Sequence, residues 1–243
     1  MSVKHGLDAL IFLKSSLFWS QFDDFKNYLD LMESFVNAEL LRMQREYDKF
    51  YDDYKDNSDK IPEIEFERYI SDYIDRFHVT SDKFSYILRK SAFISIYAFF
   101  EAELLRIVKN IERIESFNIE DSHKLSNKLN KGMQDYHLFI EKHLHISIDY
   151  NRKEYFAFNV LRNHFVHNEL NEIKEPIKLE PLLNQHIKLN TNYDIKNKEF
   201  VILNIDKTLN YRFLEFVESY FEKLIYKIES SNRSNVNLNA IYL

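Results

Sequence analysis

The chain contains no cysteine, only two glycines and only three prolines. Without cysteine, disulfides and thiolate-bound metals are excluded, and a reducing compartment is permitted. So little glycine and proline leaves few tight turns, which argues against a turn-rich sheet protein and for long helices joined at few corners. Long apolar runs are lacking as well. The most apolar N-terminal stretch, Leu7–Phe22, is interrupted by Asp8 and Lys14, far short of the ~20 residues a membrane span requires. It lacks a small-residue cleavage site, so the expectation is a cytoplasmic protein that makes no use of a membrane. Nor is there an excess of positive charge. A net charge of −6 argues against a general coat for nucleic acid.

What is present is apolar and periodic. Hydrophobic residues make up 45% and charged residues 30%, the balance of a folded domain rather than a disordered one. Phe25, Leu29, Met32, Phe35, Val36, Leu40, Met43, Tyr47, Phe50 and Tyr54 recur at three- and four-residue intervals and predict one long amphipathic helix with these positions inward. Pro62 interrupts it, and a shorter helix is expected over Glu63–Phe77. Thr80 or Ser81 is read as the cap of a new helix, with Asp82 in its first turn. From Phe84 to about Ile114 the apolar residues cover more than one face, the mark of a helix central to a bundle. A short helix is expected from Asp121 or Ser122 to Gly132, another over Met133–Leu144, and a compact one from Asn151 to Val166 with Tyr155, Phe156, Phe158, Val160 and Leu161 inward. Ile187–Leu189 and Phe200–Leu203 predict a small hairpin. Asp206 caps a last helix to about Glu229 and a loose Asn/Ser-rich tail follows. The expected fold is all-α, an antiparallel helical bundle with a long N-terminal helix and a small β-hairpin insertion before the last helix. Its expected parts are an N-terminal extension (1–79), a helical domain (80–229) and a flexible tail (230–243).

One helix end carries chemistry. Arg162-Asn163-His164-Phe165-Val166-His167 closes the Asn151–Val166 helix, and Glu101 stands in the apolar helix before it. With 11 arginines and nine histidines, an Arg followed by a His after four to six residues is expected about once by chance; requiring Asn directly after the Arg and a fixed gap of four residues lowers that to a few hundredths, roughly. This segment resembles the motif of the HEPN superfamily, helical bundles whose ribonucleases carry Arg, four to six residues, then His, often with a polar residue after the Arg. The resemblance spans roughly residues 80–229. It implies catalytic roles for Arg162, Asn163 and His167, support from Glu101 and His164, and a homodimer whose two motifs face one cleft.

The residue types suit metal-free RNA cleavage. A 2′-hydroxyl can attack the neighbouring phosphate if a group poised near neutral pH moves a proton and a fixed cation meets the developing charge. His167 supplies the first, since imidazole titrates near ~6.5. Arg162 supplies the second, since guanidinium stays charged and binds phosphate oxygens bidentately. Whether His167 acts as base or as acid is left open. On an unbroken helix, Arg162 and His167 point about 140° apart, while Asn163 and His167 share a face. The helix must therefore end or bend here, or the site must be shared by two chains.

No cofactor and no metal is expected, although His164 lies three residues before His167. Lys142, Arg152 and Lys153, in a basic stretch running from His123, are the expected RNA contacts; His137, His143 and His145 are read mainly as surface residues. Tyr150 and Tyr155 are candidates to stack bases. The expected partner is single-stranded or looped RNA, transfer RNA included. A neutralising antitoxin or regulatory protein could use the acidic stretch Glu63–Asp82. The alternative to a ribonuclease toxin or antiphage effector is a non-catalytic module of the same build that binds RNA, nucleotide or a partner protein.

Overall fold

The computed structural model describes residues 13–57, 61–115, 133–167, 172–173, 176–183, 185–189 and 201–240; the helix expected over 121–132 lies outside them. The fold is all-α with a minor sheet. Helix α1 spans Ser16–Asp56, with the Ser15 hydroxyl accepting from the Phe18 amide at its start. Asn57 closes it, Pro62 opens α2 (Glu63–His78), and the two helices lie together as a hairpin. Rings from both fill the space between them: Phe50 stacks on Tyr69 with centroids 3.6 Å apart and Tyr54 on Phe66 at 3.9 Å.

The cap expected at Thr80 or Ser81 is not formed. The chain passes from α2 through a π-helical turn, Val79–Phe84, straight into α3 (Ser85–Glu115). Ser85 donates its hydroxyl back to the Ser81 carbonyl, the back-bond that a serine makes within a continuing helix. The boundary drawn at 79/80 thus falls inside continuous helix. Phe18, Phe22, Leu29 and Met32 of α1 also belong to the same core as α3 and the last helix.

Helices α4 (Met133–Leu144) and α5 (Arg152–His167) follow. After α5 come β1 (Glu172–Ile173), a 3₁₀ helix (Pro176–Leu182), β2 (Ile187–Leu189) and β3 (Val201–Ile205). β2 pairs antiparallel with β3, Ile187 opposite Ile205, which is the expected hairpin; β1 adds a third strand on the other edge of β3. Asp206 accepts from the amide and hydroxyl of Thr208 and so caps α6 (Thr208–Ala240). The last helix therefore runs on to Ala240, into the stretch expected to be loose. Ser and Asn disfavour helix by only ~0.5 kcal/mol each, too little to stop propagation from an anchored helix.

Helix α3 sits centrally. Phe93 packs on Phe158 and Phe165 of α5, and Phe99 meets Phe22 and Phe25 of α1. Behind this α1–α3–α5 layer lies α6, whose Phe213 touches Phe93 and Phe158 and whose Phe221 touches Phe18 and Phe100. Two bidentate ion pairs tie the helices: Arg89 of α3 with Glu33 of α1 at 2.7 and 2.8 Å, and Arg212 of α6 with Glu154 of α5 at 2.6 and 2.8 Å. No helix among the described residues is long and apolar enough to cross a membrane.

Candidate functional site

The motif lies in the last turns of α5, and the start of that helix explains its course. Asn151 accepts from the Glu154 amide at 3.3 Å and donates its side-chain N–H to the Glu154 carboxylate, a reciprocal cap. Ala157, Phe158, Leu161 and Phe165 fill the inward face, fixing the roll of the helix. Helix α5 continues to His167, so it does not end between Arg162 and His167.

Arg162 is half-buried and reaches sideways. Its Nη1 donates to Asn163 Oδ1 at 3.1 Å, and its guanidinium carbon lies 5.4 Å over the Tyr97 ring of α3. Tyr97 is buried, and its hydroxyl donates to Asn159 Oδ1 at 3.0 Å, one turn before Arg162. Burial, then the nearby Glu101 carboxylate, raise the Tyr97 hydroxyl well above its ordinary value, with Arg162 opposing. Tyr97 therefore stays a neutral donor and an anchored platform for the cation. Sequence reading missed it, because nothing in a list of apolar positions says which ring of one helix meets which cation of another. Glu103 does not meet Arg162; it faces Arg106 at 3.9 Å.

Asn163 and His167 are both exposed and, four residues apart, share one face of α5. Arg152 and Phe156 continue that face towards the helix start, both exposed. Phe156 thus corrects the expectation that it points inward, and Val160 is only half-buried. Lys142 and Lys153 are exposed too, as RNA contacts would have to be.

The supporting residues divide. Glu101 is half-exposed and near enough to act electrostatically on Tyr97, Tyr136 and Tyr155. His164 is buried, and burial followed by the Lys90 charge lowers its pKa. It is a neutral core imidazole, turned away from the face that carries His167. Among the described residues no cluster of His, Asp or Glu is suited to hold a metal.

Two further expectations are corrected, those for His137 and Tyr155. His137 is a core residue: Nδ1 lies 2.7 Å from the Tyr220 hydroxyl, and Nε2 lies 3.2 Å from Glu141 without hydrogen-bond alignment. Its position was legible, since Met133, His137, Ile140 and Leu144 follow helical spacing. Tyr155 is buried, its hydroxyl lacking a hydrogen-bond partner, so it offers no ring to a base. Tyr150 packs edge-on against His137 and Tyr155. Among the grooves, one of about 430 Å³ lies between α1 and α3, lined by Asp24, Phe25, Tyr28 and Phe99, and another of about 270 Å³ lies beside the π turn. Neither is lined by Arg162, Asn163 or His167.

No family model matches the chain, and no curated protein or solved structure matches it either.

Proposed function

We propose that the chain is a metal-independent endoribonuclease of the HEPN type, acting as a toxin or antiphage effector on single-stranded or looped RNA. The observation that supports this best is the Arg162–Asn163 hydrogen bond. It links a cation held on Tyr97 to the exposed face that carries His167. On this reading Arg162 and Asn163 hold the scissile phosphate. The 2′-oxygen bonds to phosphorus, the 5′-oxygen leaves, and His167 moves one of the two protons involved. The products are a 2′,3′-cyclic phosphate and a 5′-hydroxyl. Because Arg162 and His167 diverge on one regular helix, the working unit is a homodimer in which one chain's His167 meets the other's Arg162. Arg152, about 17 Å along the helix from Asn163, lies on the same face and extends the phosphate path.

The test is labelled RNA incubated with pure protein and chelator. Cyclic-phosphate ends are expected, and Arg162→Ala or His167→Ala should each slow cleavage about 100-fold or more. Cleavage unchanged in His167→Ala would remove this reading. A second reading, a non-catalytic RNA- or nucleotide-binding module, is favoured by the net charge of −6 and by the half-buried seat of Arg162. It predicts binding that Arg162→Ala weakens, with no cutting to lose.

A further inference from the structure

Helix α5 keeps its aromatic residues inside with one exception. Tyr155, Phe158 and Phe165 are buried, while Phe156 is 44% exposed. Phe156 stands seven residues before Asn163, which places it about 20° away around the helix and about 10 Å along it. Arg152 is one turn before Phe156, and His167 is one turn after Asn163. All four are exposed and form a single outward line.

The charge along that line sets it apart from the rest of the chain. The exposed residues of α5 are Arg152, Lys153, Phe156, Asn163, Val166 and His167, with no carboxylate among them. The acid of the helix, Glu154, is buried and held by Arg212. Neither Arg152 nor Lys153 forms an ion pair among the described residues. Glu101 of α3 acts on Tyr97 and Tyr155, to the Arg162 side of α5 and away from Phe156. Acid is concentrated elsewhere: Glu39 to His78 holds 12 acidic and seven basic residues, nearly the whole of the net charge of −6. Phe35 of α1, expected to point inward, is exposed as well, by 58%. Its side of α1 also carries Asp24 and Glu39, which would repel an anion. Phe156 is the exposed ring that has cations and amide donors in line with it.

That combination fits one chemistry. Guanidinium and amide groups hold phosphates, and a bare ring takes the flat face of a base. We propose that Phe156 is a base-stacking subsite for single-stranded nucleic acid, with Arg152 on the phosphate at one side of the stacked base and Asn163 on that at the other. The course of the strand rests on the ribonuclease reading, which puts the scissile phosphate at Arg162 and Asn163. The stacking role expected of Tyr150 and Tyr155 passes to the neighbouring ring that faces outward. Neither stacking nor phosphate contact uses the 2′-hydroxyl, so the subsite takes single-stranded DNA as well as RNA. It takes a duplex poorly, since paired bases already cover one another's faces. Binding and cutting are thereby separable, because only cutting needs the 2′-hydroxyl.

The experiment titrates a fluorescein-labelled single-stranded DNA, which offers no 2′-hydroxyl to attack, with the full chain and follows anisotropy. The DNA should bind, and Phe156→Ala should weaken binding about tenfold or more while Phe156→Tyr stays near the parent. A duplex of the same sequence should bind about tenfold more weakly. Arg152→Ala should lower the affinity and flatten its salt dependence. Phe156 is exposed, so circular dichroism should not change in any of these variants. In Phe156→Trp the added emission should be quenched by the DNA, with the parent, which has only Trp19, as the control. A chain that binds no single-stranded DNA, or binds it equally well as Phe156→Ala, overturns the subsite. So does Phe156→Asp turning a dimer into a monomer while Phe156→Ala keeps full affinity, which would make the ring a contact between copies. RNA cleavage is scored separately. Binding that depends on Phe156 without cleavage keeps the subsite and loses the enzyme; cleavage indifferent to Phe156→Ala keeps the enzyme and loses the subsite.

Discussion

At the scale of the residue, Arg162 is defined by what holds it. Tyr97 gives it a face, Asn163 takes one of its donors, and its other N–H groups remain for a ligand. A cation over a ring is worth roughly 0.5–1 kcal/mol at such a site, equivalent to about a two- to fivefold change in rate. On the proposed ribonuclease reading, Tyr97→Leu should therefore lower the turnover of RNA by about that factor, with KM little changed. Tyr97→Phe, which keeps the ring and loses only the bond to Asn159, should stay closer to the parent. Single-turnover and steady-state cleavage assays separate the two, and equal losses in both variants would point to general loosening instead. The motif was legible from its residue types and spacing. Its platform was not, because Tyr97 and Arg162 meet only through the register between α3 and α5. The burial of His164 could have been read, since Ala157, Leu161, His164 and Phe165 keep helical spacing on the inward face.

At the scale of the element, boundaries were legible where a side chain performs the capping and obscure where it does not. Asp206 and Asn151 cap as their types suggest. The run Thr80-Ser81-Asp82 looks equally good as a start signal, yet a π turn absorbs it and the chain runs on into α3. The Glu154–Arg212 pair gives an element-scale prediction that turns on asymmetry. Glu154 is buried and Arg212 partly exposed. Arg212→Met strands a carboxylate in the core and should cost about 3 kcal/mol. Glu154→Gln leaves Arg212 free to turn to water or to Glu215, 3.5 Å away, and should cost about 1–2 kcal/mol. Urea titrations of the two variants check the order, and a reversed order would show that the Arg212 head is the costlier group to strand. Asn151→Ala should lose about 1 kcal/mol as the cap of α5 is removed.

At the scale of the whole molecule, the all-α architecture followed from the shortage of glycine and proline and from helical periodicity. The hairpin followed from two short β-prone runs. The outward turn of Phe35 and Phe156 was hidden because apolar residues on two faces of one helix look alike in sequence. Burial of histidines also makes the whole molecule sensitive to pH. His137 and His164 have their pKa values lowered, chiefly by desolvation, with Glu141 opposing and Arg152 adding at the first, and Lys90 adding at the second. In the unfolded chain each imidazole takes up a proton near ~6.5. In the folded chain each does so only at lower pH. Below ~6.5 the unfolded state therefore binds more protons, and stability falls as pH falls from there towards the folded pKa values. The slope is at most about 1.4 kcal/mol per pH unit for each histidine. Glu103 acts in the opposite sense, because burial raises its pKa. Between its unfolded and folded values the folded chain holds the extra proton, so acidification through that interval favours folding. Urea midpoints should thus drop between pH 7.5 and 5.5, and less steeply in His164→Leu. A parent protein whose midpoint is flat or rises over that interval would show that neither histidine is held neutral by the core.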